Sequence, residues 1–568
     1  MLRTAFRTRC WALMIVATIG AAAVRAEGVG CGSLRGLVVP ANWIGLPTTG
    51  AEVTSAKNRH AGGAAYCRVM GRVHPVDPLA DDIRFELNLP EAWNGKALQY
   101  GGGTFDGYIG KSDGLGRTAV GLKKEATPLM RGYATMGSDG GHHHSYFPLP
   151  DAINALNATF ARNAEMQRNF AGEAVKKLRD VSVVLMKARY GSAPRRMYFI
   201  GGSTGGREAL WMVQRYPGDY DGVMAAYAAW DQAELDLQFV RTAQALYAPG
   251  GFLGYSKTRM IARRVEERCD EKDGLRDGII SDPAGCDVTA ESLRCADGRA
   301  HHGCLSDAQL HTLETFATEE RTEMPLSNGV DSVPGYNVLA GASLSGSVGL
   351  LPFPLKNPVV VLNSFGYVIG DDVTRNFLSV GHHFNSRTFD INSGGPWHDE
   401  LLKAAREIDS TSVALEPFVA RGGKLILVHG TSDPVIPTNS TVDYFERVEA
   451  RMGIDETKSF ARLYLVPGMG HGDGRFDGGF DTVGTLDAWV DGGIAPVNLV
   501  VTDNNSGRTR PLCEWPAWPK YDGVGNAKSA ASFTCVTPAQ AGGMLQVLRG
   551  RREASRGGAE NNAQTAKK

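Results

Sequence analysis

The chain has 568 residues, more than a single hydrophobic core usually organises, so a large core domain plus at least one substantial second unit is expected. Hydrophobic residues make up 43% and charged residues 21%, the composition of an ordinary globular protein. Lys+Arg 60 against Asp+Glu 61 gives a formal net charge of -1, which offers no global attraction to nucleic acid or to an anionic membrane.

The first 26 residues read as an export signal. Arg3, Arg7 and Arg9 form a positive start, an apolar run extends from Cys10 to about Val24, and Val24-Arg25-Ala26 resembles a small-x-small cleavage site. The run is short for a bilayer span and no later segment is long and apolar enough for one, so a secreted or periplasmic mature chain beginning near Glu27 is expected. Eight cysteines remain beyond the signal: Cys31, Cys67, Cys269, Cys286, Cys295, Cys304, Cys513 and Cys535. An even number in an exported chain suggests disulfides. They fall into sequence-local pairs, 31/67, 269/286, 295/304 and 513/535, although spacing alone leaves the connectivity open.

Leu98-Gln99-Tyr100 leads into Gly101-Gly102-Gly103-Thr104, a glycine-rich loop after a strand. Downstream, Gly141-His142-His143-His144 suggests zinc, but adjacent side chains rarely converge on one ion, and a polar wall at a site mouth is the reading preferred. Arg196-Met197-Tyr198-Phe199-Ile200 is β-prone, Gly201-Gly202-Ser203-Thr204-Gly205 breaks it, and Arg207 to Val213 has helical character. This is G-x-S-x-G between strand and helix, the turn that lifts a serine hydroxyl above a sheet and requires small neighbours.

From about Ala226 to Ser410 the regular strand–helix alternation is lost, and an inserted lid domain is expected over residues 226–410. It carries the acidic run Cys269 to Asp282, whose carboxylate density suits an oxygen-liganded cation. It also carries Arg375, near Phe377, which reads as a surface arginine rather than a partner for a substrate carboxylate. Regular alternation then returns. Lys424-Leu425-Ile426-Leu427-Val428-His429 runs into a loop with Asp433, and Arg462 to Val466 runs into a loop with His471. Near-continuous apolar strands of this kind suit a parallel sheet covered on both faces.

A serine nucleophile needs a base, and the base an orienting acid; the order Ser, Asp, His, each on a loop after a strand, is that of α/β-hydrolases. Ser203, Asp433 and His471 meet it, giving an α/β class chain with an α/β-hydrolase core in two parts, residues 27–225 and 411–548, and a disordered tail from 549 to 568. The oxyanion hole would draw one N–H from Thr204 and a second from Gly103 or Thr104.

The motifs together resemble the tannase and feruloyl esterase family. The likeness extends from Trp93-Asn94-Gly95-Lys96 through Ser203-Thr204-Gly205-Gly206-Arg207 and Tyr220-Asp221-Gly222. It continues over Phe418 to Leu427, into Asp433, and ends on Pro467-Gly468-Met469-Gly470-His471. It implies Ser203, Asp433 and His471 as the catalytic triad. It also implies a structural calcium held by Asp270, Asp273 and Asp277 with the carbonyls of Leu275 and Ile279, and cysteines bonded in the four local pairs. The family's further bridge beside serine and histidine falls here on Gly202 and Gly472. The implied substrate is a small ester of an aromatic acid such as gallate, ferulate or a related benzoate, with no organic cofactor. A non-catalytic binding protein on the same fold is the alternative.

Overall fold

The computed structural model describes residues 28–110, 119–143, 156–296, 298, 301–378 and 385–538. The expected signal, the tail after 549 and His144 lie outside these residues. A ten-stranded sheet forms the frame. Its strands are β1 (Val38–Val39), β2 (Gly50–Ala61), β3 (Ala64–His74), β4 (Ile83–Pro90) and β5 (Lys96–Tyr100), then β6 (Ala134–Ser138), β7 (Arg196–Gly202), β8 (Gly222–Ala226), β9 (Lys424–Gly430) and β10 (Ala461–Val466). They lie in the order β1-β2-β3-β4-β6-β5-β7-β8-β9-β10. The strands from β1 to β4 pair antiparallel and β4 meets β6 antiparallel, whereas β6, β5, β7, β8, β9 and β10 are all parallel.

The parallel half explains its own apolar runs. Phe199, Val223, Leu425 and Leu427 point into one core with Leu210 and Met212 of α2 (Thr204–Arg215) and Leu178 of α1 (Ala174–Tyr190). Their strand neighbours Tyr198, Met224, Ile426 and Val428 point the other way, against Leu486 and Trp489 of a helix at Thr482–Gly492. Because side chains alternate faces along a strand and helices cover both faces, the middles of these strands are apolar on both sides. Parallel strands also end on one edge. The loops after β5, β7, β8, β9 and β10 therefore share the carboxyl edge of the sheet, where open α/β sheets bind ligands.

β8 and β9 are neighbours, in register from Lys424 opposite Gly222 to Val428 opposite Ala226. Nearly two hundred residues of chain are inserted between them. Ala226, expected as the first residue of the insertion, is the last of β8, because its ladder with β9 holds to that point. The chain returns to the sheet only at Lys424. The inserted region has its own apolar cluster, with Met260, Ile261 and Val265 packed near Leu310 and Leu313. Four disulfides bind the described chain: Cys31–Cys67, Cys269–Cys286, Cys295–Cys304 and Cys513–Cys535. The glycines at 202 and 472 are thus not part of a general loss of cross-links. No helix among the described residues is long and apolar enough to cross a membrane.

Candidate active site

Ser203 sits where β7 passes into α2, at φ 61 and ψ −126. A non-glycine residue at positive φ is strained and persists only where its surroundings enforce it. Here the Ser203 N–H donates to Ala226 O at 3.0 Å, and its carbonyl accepts from Gly206 N at 3.0 Å and Arg207 N at 3.1 Å. The turn is also crowded: a Cβ at Gly201 would stand 2.2 Å from Gly205 O, so position 201 must be glycine. The hydroxyl is thereby held at the start of a helix, at the positive end of its dipole.

The Asp433 and His471 loops pack on each other. Thr431 N donates to Val466 O at 3.0 Å and Ser432 N to Met469 O at 2.9 Å. His471 Nδ1 lies 2.8 Å from Asp433 Oδ2. Asp433 is 1% exposed, and its Oδ1 accepts from Val435 N at 2.7 Å and Ile436 N at 3.0 Å. A residue not anticipated completes the group: His429, at the end of β9, is fully buried and sets Nε2 3.2 Å from Asp433 Oδ2. Burial alone would raise the Asp433 carboxyl. The His471 charge and the hydrogen bonds from His429 and His471 outweigh it and hold the group well below the usual carboxylate range. Burial likewise pulls the His471 imidazole down, and the Asp433 charge and hydrogen bond, with Asp473 adding, leave it raised. Ser203 Oγ and His471 Nε2 make no hydrogen bond in this conformation; such contacts often close only with substrate present.

The glycine loop lies against the serine turn, since a Cβ at Gly101 would stand 2.6 Å from Gly205 Cα. Thr204 Oγ1 donates to the Thr104 carbonyl, tying loop and helix together. Gly103, one of the two expected oxyanion donors, has its N–H committed to Asp106 Oδ1 at 2.8 Å. Gly102 N donates to Glu208 Oε2 at 2.9 Å. The Thr104 N–H has no intramolecular acceptor among the described residues, and Thr104 stands at φ 52. Asp106 and Glu208 are both buried, and burial followed by the Glu208 charge pushes the Asp106 carboxyl well above its usual range. Burial likewise raises the Glu208 carboxyl, against the Arg207 charge and the Gly102 hydrogen bond. Both carboxyls were invisible as site residues in the sequence, because the chemistry that picks them out is their contact with loop N–H groups.

Other expectations need correction. His142 is not a polar wall: it is 1% exposed and stacks on Phe160 at 3.8 Å between ring centroids, inside an aromatic cluster with Phe170. His143 faces Asp81, with Nδ1 to Oδ2 3.4 Å. Arg375 is no free surface arginine; its Nε pairs with Asp371 Oδ2 at 2.9 Å within one helix. In the acidic loop the carboxylates are collected by backbone N–H groups. Gly278 N reaches Asp270, Leu275 N and Ser281 N reach Asp273, and Ile279 N reaches Asp277. Asp277 also pairs with Arg510 at 2.6 Å. Asp270 and Asp273 are buried, make no direct ion pair among the described residues, and present hard oxygen atoms of the kind calcium accepts, with the Arg510 charge acting on Asp273. Even so, no group of three or more acidic, histidine or cysteine side chains among the described residues is disposed as a metal cage.

A buried carboxylate on an imidazole, on the same sheet edge as a serine on a strained turn, is the arrangement of the α/β-hydrolase fold, which carries the carboxylic ester hydrolases among other enzymes. The comparisons carry this to a family: a model of tannase and feruloyl esterase matches residues 67–536, and the chain belongs to that family. It is 36% identical to an uncharacterized esterase of Agrobacterium fabrum, over 89% of this chain and 92% of that protein. It is 27% identical to a mono(2-hydroxyethyl) terephthalate hydrolase of Piscinibacter sakaiensis, over 83% and 85%. The fold resembles the crystal structure of feruloyl esterase B from Aspergillus oryzae, with TM-score 0.71 and 24% identity, covering 86% of this chain and 98% of that one.

Proposed function

We propose that this protein is an exported serine esterase that cleaves small esters of aromatic acids through an acyl-enzyme. The observation that carries the reading is the His471–Asp433 contact on the same sheet edge as the strained Ser203 turn. His471 Nε2 takes the Ser203 proton as Oγ attacks the ester carbonyl. The N–H groups of Thr204 and Thr104 receive the oxyanion, Gly103 being committed to Asp106. His471 then protonates the leaving alcohol, and a water, deprotonated by the same imidazole, releases the acid. Asp433 fixes the proton on Nδ1. The region inserted between β8 and β9 serves as the lid that selects the acid.

The names of the relatives support an aromatic acid: a terephthalate monoester hydrolase and several feruloyl esterases. The disulfides and the signal-like first 26 residues support export. Calcium at Asp270, Asp273 and Asp277, with the Leu275 and Ile279 carbonyls, would neutralise the acidic loop and brace the inserted region. A fluorophosphonate probe should label the wild-type protein and not Ser203→Ala. Turnover of methyl ferulate, methyl gallate or a terephthalate monoester should exceed that of p-nitrophenyl acetate in kcat/KM. Labelling that survives Ser203→Ala, or no turnover of any of these esters, would overturn the reading.

A further inference from the structure

We propose that Tyr227 is a positioning residue that wedges the serine turn and the histidine loop into register. The inference rests on Ser203 and His471 being the nucleophile and base. Tyr227 is the first residue after β8, and its side chain reaches both loops. A Cβ at Gly202 would stand 2.6 Å from Tyr227 Cε2 and 2.8 Å from its hydroxyl oxygen, and a Cβ at Gly472 would stand 2.9 Å from that same oxygen. These glycines immediately precede Ser203 and follow His471. The ring therefore fills the space between the two residues' own neighbours, and the absence of side chains at 202 and 472 is what admits it.

The ring also walls the imidazole. Its centroid lies 4.6 Å from that of His471, tilted by 53°, and 6.3 Å from that of His429 at 68°. His471 is held from one side by Asp433 through Nδ1, a single contact about which the ring can still swing. A flat aromatic wall removes that freedom, so Nε2 stays directed at the serine. The backbone is built for the purpose. Tyr227 stands at φ 35, a strained value for a bulky residue, and its N–H is anchored on Val428 O at 2.7 Å. Val428 belongs to β9, the strand that carries His429 and leads to Asp433. One side chain thus borders the serine turn and both histidines, while its own N–H is tied to the strand leading to Asp433.

The test is steady-state kinetics on methyl ferulate with the full chain, paired with the rate of fluorophosphonate labelling. Tyr227→Phe, which keeps the wall, should lose no more than about threefold in kcat, whereas Tyr227→Ala should lose ~30-fold with KM changed less than about threefold, as expected of misplacement near the chemistry. Labelling should slow in parallel. If Tyr227→Ala gives no cooperative melt, Tyr227→Leu, which keeps bulk without a flat face, should show the same kcat loss. Gly202→Ala alone should lose about tenfold by displacing the ring, and Gly202→Ala with Tyr227→Ala should be no slower than Tyr227→Ala, the non-additivity of a direct contact. Wild-type kcat in Tyr227→Ala or Tyr227→Leu, a Phe variant as slow as the Ala variant, or a Gly202→Ala loss that multiplies in full would each overturn the proposal. Activity surviving Ser203→Ala would instead remove the reading beneath it.

Discussion

His429 Nε2 and His471 Nδ1 meet the same carboxylate oxygen, Asp433 Oδ2, at 3.2 and 2.8 Å. Thr441 Oγ1 sits 2.7 Å from the other nitrogen of His429. His429 is thus held at both ring nitrogens, Nδ1 by Thr441 and Nε2 by Asp433 and the Ile436 carbonyl. Its role is to keep the aspartate charged and stationary. His429→Ala should lower kcat on the order of tenfold while KM holds, since it removes a hydrogen bond to a buried charge. A rate equal to wild type at equal folding would remove His429 from the site.

Ser203 and His471 should act as one unit. Ser203→Ala and His471→Ala should each reduce kcat/KM by on the order of 10⁴-fold or more, and the double variant should be little worse than either. Ester hydrolysis by purified, folded variants measures this; losses that multiply would mean the two residues serve separate steps.

The pH profile follows from the raised His471. The base works as neutral imidazole, so kcat/KM should climb with pH through a midpoint above 6.5, the ordinary imidazole value. Asp433→Asn removes the charge that raises it, so the midpoint should move down as the maximal rate falls. The stability from this contact has the opposite trend: it is fully present below the ordinary imidazole value and is lost as pH rises through the raised one. A midpoint unmoved by Asp433→Asn would mean another group controls the limb.

Glu208 should matter through the glycine loop, never touching substrate. Glu208→Gln keeps an acceptor for the Gly102 N–H and should be mild. Glu208→Ala frees the loop, and kcat should fall between about tenfold and a hundredfold, within the range of a displaced oxyanion donor. The comparison of the two variants on one ester is decisive, because equal rates would detach the loop from Glu208.

Chelation tests the acidic loop. A chelator should lower the melting temperature and added calcium restore it, by the linkage of ligand binding to folding. Asp273→Asn should blunt both effects. A melting curve indifferent to chelator, with no calcium in elemental analysis, would dispose of the site.

What the amino-acid sequence determined by itself is local. The Ser203 turn was legible because glycines crowd one strand–helix junction, and Asp433 and His471 because each follows an apolar strand of parallel-sheet type. The local cysteine pairs were legible as an order, and the inserted region as a break in alternation. Such signals need only neighbouring residues, whose periodicity and turn chemistry act over short stretches of chain. Tertiary structure alone decided which groups meet. Thr204 reaches Thr104 across 100 positions, and Gly102 reaches Glu208 across 106. Those contacts bound the loop to α2, while the local bond from Gly103 N to Asp106 took Gly103 out of the donor set. The Arg375–Asp371 pair is local, four residues apart on one helix, but His142 went into an aromatic cluster because burial depends on what packs opposite, which no single segment encodes. The same holds for Tyr227: only the closing of β7, β8, β9 and β10 into one sheet edge sets its ring between Gly202 and Gly472, where two missing side chains leave room for it.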